Sequence, residues 1–153
     1  MADEIGAQRQ QQLKVNERKW TKPLMDAGWT VIPSVILDRQ QALGLDSVDV
    51  CVLLHLAKHW WKRDELPFPS KRSIAECLGV SESTVQRRIR RMEADGLIKR
   101  VFRYSPANQG QKANAYDLAG LIAGATPYAK EAVRKREARR QENAAQRTRK
   151  RLL

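Results

Sequence analysis

The sequence predicts a mainly α fold with a small β-hairpin, on three observations. Between Ser70 and Asp95, two amphipathic helical patterns are separated by the short turn Gly79-Val80-Ser81. Directly afterwards, residues 97–104 are rich in β-branched and aromatic side chains; the turn-rich run SPANQGQKAN and a second short apolar run at 115–118 follow. Upstream, residues 47–63 carry the broadest apolar helical face in the chain.

Taken in order, residues 1–19 are Gln-rich and charged with few large apolar side chains, which predicts a flexible polar arm or a marginal helix. An ordered domain is expected over 20–126. Trp29-Thr30-Val31-Ile32 is a short β-prone run. Pro33 suits the first turn of a helix that Val35, Ile36, Leu37 and Leu43 would line, ending near Gly44. Asp46 or Ser47 caps the core helix through about residue 63, with Val50, Leu53, Leu54, Ala57, Trp60 and Trp61 on its buried face and Val52 and Leu56 at the edge. In the loop DELPFPS, Phe68 is expected in the core and Ser70 as the next N-cap. Residues 119–126 predict a turn or small helix closing the domain. The tail 127–153 is basic and helix-prone or disordered, with Val133, Leu152 and Leu153 as its large apolar side chains.

The stretch 70–104 is the centre of the chain. Ile74, Ala75 and Leu78 form the buried side of its first helix, and Gly79 can take the positive φ that ends it. Ser81 is a good N-cap for a helix over 82–95, with Ser83 or Thr84 competing for that role, and on the helix Val85, Ile89 and Met92 fall on one stripe. Ser83, Thr84, Arg87 and Arg91 lie opposite, flanked by Arg88 and Arg90. Two helices joined by a short turn containing Gly outline a helix-turn-helix, whose second helix enters the DNA major groove. The strand, polar loop and strand that follow would form a wing at 104–114, set against phosphate or the minor groove. Arg103, Lys112 and Asn114 are its candidate contacts, and Gln109 and Gln111 lie at its tip.

Charge supports a polyanion partner. The 153-residue chain has a net charge of +12, but residues 1–69 are neutral. Residues 82–103 hold seven basic against three acidic side chains, and residues 128–153 hold ten against three. Two basic blocks beside a neutral body are the electrostatic footprint of nucleic-acid binding.

The stretch SIAECLGVSESTVQRRIRRMEADGLI resembles the winged-helix pattern of bacterial regulators and of phage and plasmid replication proteins. VIPSVIL, VDVCVLLHLAKHW, PFPS and ANAYDL are similar to segments of the replication-protein and DnaD-like group, and the resemblance covers roughly residues 29–121. It implies a winged helix-turn-helix fold that binds double-stranded DNA. Ser83, Thr84, Arg87, Arg88 and Arg91 would face the groove. Ser70, Lys71 and Arg72 would approach phosphate at a helix N-terminus.

Other chemistries are poorly supported. Cys51, His55 and His59 are spaced i, i+4, i+8 but diverge around a helix, and no further ligand lies nearby to complete a tetrahedral metal set. No phosphate-cradling or nucleophile motif is present, so neither an enzyme nor a cofactor is expected. The N-terminus has no apolar run of the signal-peptide kind and the chain no membrane-length one, so a cytoplasmic, nucleoid-associated protein is expected. Three roles stand open: a transcriptional regulator, favoured by the absence of room for a separate effector domain; an origin-binding replication protein that recruits machinery; and a winged-helix scaffold for protein contacts. A homodimer is plausible on the rule that such modules read paired half-sites, with Trp20, Trp29 or the tail supplying the contact.

Overall fold

The computed structural model describes residues 2–105 and 110–151. The chain divides into two compact units, Met1–Val31 and Ile32–Leu153. The first unit holds α1 (Ala2–Trp20) and α2 (Lys22–Asp26). The expected arm is therefore a 19-residue helix, which its Ala, Gln, Glu, Lys and Arg content favours by propensity. Trp20, Leu24, Met25, Trp29 and Val31 line a depression within this unit. The run Trp29 to Ile32 is irregular, with no partner strand among the described residues.

The second unit runs α3 (Ser34–Asp38), α4 (Ser47–Lys58), α5 (Lys71–Leu78), α6 (Glu82–Ala94), β1 (Lys99–Ser105), β2 (Gly110–Asp117) and α7 (Ala119–Arg151). α3 is shorter than expected; turns over residues 39–44 bring the chain to Gly44, at φ 72°. α4 starts in a reciprocal capping box. Asp46 Oδ1 accepts from the backbone N–H groups of Val48 and Asp49, and Asp49 Oδ2 accepts from that of Asp46.

α4 buries Asp49, Val50, Val52, Leu53 and Leu56, a face rotated from the expected one because Asp49 is held inward. It stops at Lys58, leaving Trp60 half-buried and Trp61 77% exposed, not in the core. Ile74 and Ala75 of α5 and Val85, Ile89 and Met92 of α6 complete the centre with Tyr116 and Leu121. Burial of each large apolar side chain contributes roughly 1.5–3 kcal/mol.

The helix-turn-helix turn forms as its residues require. Gly79 ends α5 at φ 66°, and Ser81 Oγ accepts from Thr84 N at 3.2 Å. Gly96, at φ 74°, ends α6, and Leu97 N donates to Met92 O at 2.9 Å. Leu97 and Ile98 are thereby buried in the core, and the strand begins at Lys99. β1 and β2 pair antiparallel, Lys99 opposite Asp117 and Arg103 opposite Lys112, with an irregularity between Val101 and Arg103. Tyr116 N donates to Pro67 O at 2.9 Å and ties the hairpin to the 64–70 loop. In place of a small closing helix and a separate tail, α7 is one 33-residue helix through Pro127. Asp117 Oδ1 accepts from Ala119 N at its start, and Leu121 N donates to Leu97 O at 2.7 Å. Residues 132–151 are exposed all round.

Candidate nucleic-acid interface

The candidate surface is the side of α6 opposite Val85, Ile89 and Met92. Burial of those three fixes which way the helix faces. Ser81, Ser83, Thr84, Gln86, Arg87 and Arg90 line a shallow depression on the outer side. Ser81 Oγ lies 2.9 Å from both Ser83 Oγ and Thr84 Oγ1, and Arg87 Nη2 reaches Thr84 Oγ1 at 3.4 Å. The arrangement is a cluster of hydroxyls at the helix N-terminus with two guanidinium groups beyond it. Hydroxyls there can donate to phosphate and either donate to or accept from base edges, and an exposed Arg can present two donors to guanine. Of the expected groove residues, Ser83, Thr84 and Arg87 come together here. Gln86 and Arg90 join them without having been singled out as contacts; both follow from the same wheel, since Arg90 is four residues beyond Gln86.

Arg88 and Arg91 depart from the expectation that they face the groove. Both turn toward the N-terminus of α4. Arg88 Nη1 binds Asp46 Oδ2 and lies 3.7 Å from Asp49 Oδ1. Arg91 Nη2 binds Asp49 Oδ2 and also donates to Gly44 O at 3.0 Å. The Asp49 side chain is fully buried, while those of Arg88 and Arg91 are 24% and 45% exposed. The physical reason is desolvation. A buried carboxylate needs a paired cation, and α6 supplies two at one-turn spacing opposite two carboxylates at one-turn spacing. Burial pushes the Asp49 carboxyl up, against the hydrogen bond from Asp46 N–H and the pull of Arg91 and Arg88. The Asp46 carboxyl is held below the ordinary value, first by the Asp49 backbone N–H and then by Arg88.

At the start of α5, Ser70 Oγ accepts from Ser73 N at 3.0 Å, as an N-cap. Lys71 is half-buried and Arg72 is exposed, its Nε 3.0 Å from Glu76 Oε1.

In the wing, Arg103 does not stand free: its guanidinium lies 3.8 Å from the centroid of the Phe68 ring. Phe68 is accordingly 54% exposed and clasped by Arg103, where the core was expected. Such a contact is worth roughly 0.5–2 kcal/mol and anchors β1 to the 64–70 loop. Arg100 pairs with Glu93 at 2.7 Å and fixes the hairpin base to the end of α6. Asn114 is half-buried on β2. Of Lys112 and Gln111 only the backbone is described, and Gln109 lies outside the described residues. Among the described residues no three His, Cys, Asp or Glu side chains gather as a metal site, and no helix is long and apolar enough to cross a membrane.

Comparison with known proteins agrees with this geometry. Residues 43–98, from the end of the α3 region to the buried Ile98, match the family model described as a helix-turn-helix domain. The fold is similar to that of the N-terminal domain of DnaD from Geobacillus kaustophilus HTA426. That match has 20% identity and a TM-score of 0.53, covering 78% of this chain and 96% of that one. Lower scores relate it to S. aureus MepR, solved in complex with DNA (15% identity, TM-score 0.42, 78% of this chain and 90% of that one). The transcriptional regulator PA3341 scores 0.39 at 25% identity, over 65% of this chain and 71% of that one. No curated protein matches the sequence. Residues 43–98 match a helix-turn-helix domain, and the chain folds as a helix-turn-helix followed by a β-hairpin wing.

Proposed function

We propose that the protein is a sequence-specific binder of double-stranded DNA acting as a transcriptional regulator. α6 enters the major groove, and the wing lies along the backbone or minor groove. The observation that carries this reading is the outer face of α6, where Ser83, Thr84, Gln86, Arg87 and Arg90 are gathered while the opposite face is locked into the core. Arg87 and Arg90 are the groove-facing cations, and Ser83 and Thr84 the adaptable contacts. Ser70, Lys71 and Arg72 approach one phosphate strand, and Lys112 and Asn114 the wing's side; Arg103 supports the wing through Phe68. The exposed basic part of α7 adds attraction for the backbone without sequence preference.

A second reading is an origin-binding replication protein. It is supported by the similarity of VIPSVIL, VDVCVLLHLAKHW and ANAYDL to the DnaD-like group and by the likeness of fold to the DnaD N-terminal domain. Mapping bound sites across the genome in cells separates the two. The regulator reading expects enrichment at promoters, its own included. Enrichment confined to repeated sites at an origin supports replication, and no enrichment anywhere contradicts both.

A further inference from the structure

The carboxylates at the start of α4 carry charge that capping does not need. A cap requires only an oxygen acceptor, and Asn serves an N-cap as well as Asp does. Yet both positions hold Asp, and Asp49 is fully buried, the one buried charged side chain among the described residues. Asp46 Oδ1 alone receives the two backbone N–H groups of Val48 and Asp49, leaving Oδ2 for Arg88. Asp49 Oδ2 receives both the Asp46 N–H and Arg91. The surplus negative charge is therefore spent on two of the four arginines of α6. A guanidinium released from this cluster would stay on the same helix as Arg87 and could swing to a neighbouring phosphate. Such a contact adds affinity for every sequence alike.

We infer that Asp46 and Asp49 are specificity-determining residues, which keep Arg88 and Arg91 off the DNA backbone and hold α6 in register on α4. The inference rests on the DNA-binding reading above. It assigns a role in recognition to two residues that touch no DNA themselves.

The test uses the full chain and two duplexes, one enriched by the wild type from a random pool and one with that sequence shuffled. Binding is titrated at several salt concentrations for wild type, Asp46→Asn, Asp49→Asn and a charge-matched control, Asp38→Asn, whose side chain is exposed on α3. Relative to the control, each cluster variant is expected to steepen the salt dependence on the shuffled duplex by about one unit per freed arginine. Its affinity for that duplex should rise on the order of fivefold near 0.15 M salt. The preference for the enriched duplex falls accordingly. Slopes equal to the control, in variants whose circular dichroism matches wild type, would overturn the inference and leave the carboxylates a purely structural part. If Asp49→Asn does not fold, Asp46→Asn carries the test, because its side chain is 44% exposed and Asn retains the cap. A wild type that binds neither duplex removes the DNA reading itself; a wild type that binds, with unmoved variant slopes, removes only this inference.

Discussion

At the level of single residues, the arginines of α6 divide into two kinds that look alike in sequence. Arg87 and Arg90 face outward, and Arg88 and Arg91 are bound to Asp46 and Asp49 across 42 positions of chain. Removing one partner of a buried pair costs more than the pair contributes, because the remaining charge is stranded. Arg91→Ala is therefore expected to lower stability by about 3 kcal/mol, the low end of the range for buried pairs, since Arg91 is itself 45% exposed. Arg87→Ala should change stability by less than about 0.5 kcal/mol, as an exposed substitution. Urea unfolding of the two variants measures the difference, and equal midpoints would show that Asp49 does not depend on Arg91. A helical wheel finds the stripe Val85, Ile89, Met92 and hence the outward face. It cannot tell an arginine paired at long range from a free one. The hint in the sequence was the matched spacing, Asp46 to Asp49 and Arg88 to Arg91, each one helical turn.

Elements were legible where a local signal fixed them. Ser70, Ser81, Gly79 and Gly96 mark the ends of α5 and α6 as expected, because caps and positive-φ turns act within a few residues. Elements whose limits depend on distant partners were not. α4 was expected to include Trp60 and Trp61, but the chain leaves the helix at His59. Phe68 was expected in the core, but Arg103 offers its ring a partner on the surface. The small closing helix and the tail are one element, α7, since good helix formers follow Pro127 without a stop. The start of α7 is set by a close approach. A Cβ on Gly120 would stand 1.9 Å from Gly96 O. Gly→Ala in a helix ordinarily stabilises by roughly 0.5–1 kcal/mol. Here the sign reverses, and Gly120→Ala is expected to destabilise by about 1–3 kcal/mol, the usual cost of overpacking. Thermal unfolding checks it, and a raised midpoint would mean that α7 does not seat on the α6–β1 turn.

Across the whole molecule, charge and packing set the outer face of α6 apart from the exposed end of α7. The helix-turn-helix gathers Ser83, Thr84, Gln86, Arg87 and Arg90 on the outer face of α6. The exposed end of α7 carries most of the ten basic residues of 128–153 and, on the proposed reading, contributes attraction without sequence preference. Net charge alone overstates the cationic character of α6, because Asp46 and Asp49 offset Arg88 and Arg91. On the proposed reading, selectivity rests on few side chains, Arg87 foremost. Loss of one good bidentate contact costs about 1–3 kcal/mol of discrimination, or roughly 5- to 150-fold. The most direct measurement is enrichment of duplexes from a random pool by the wild type and by Arg87→Ala, sequenced after equal rounds at equal salt. The wild type is predicted to enrich one defined motif, and Arg87→Ala to lose preference at one base pair of it while still binding DNA. The same motif at the same strength from both proteins, or no motif from the wild type, would contradict the assignment of the outer face of α6 as the reading surface.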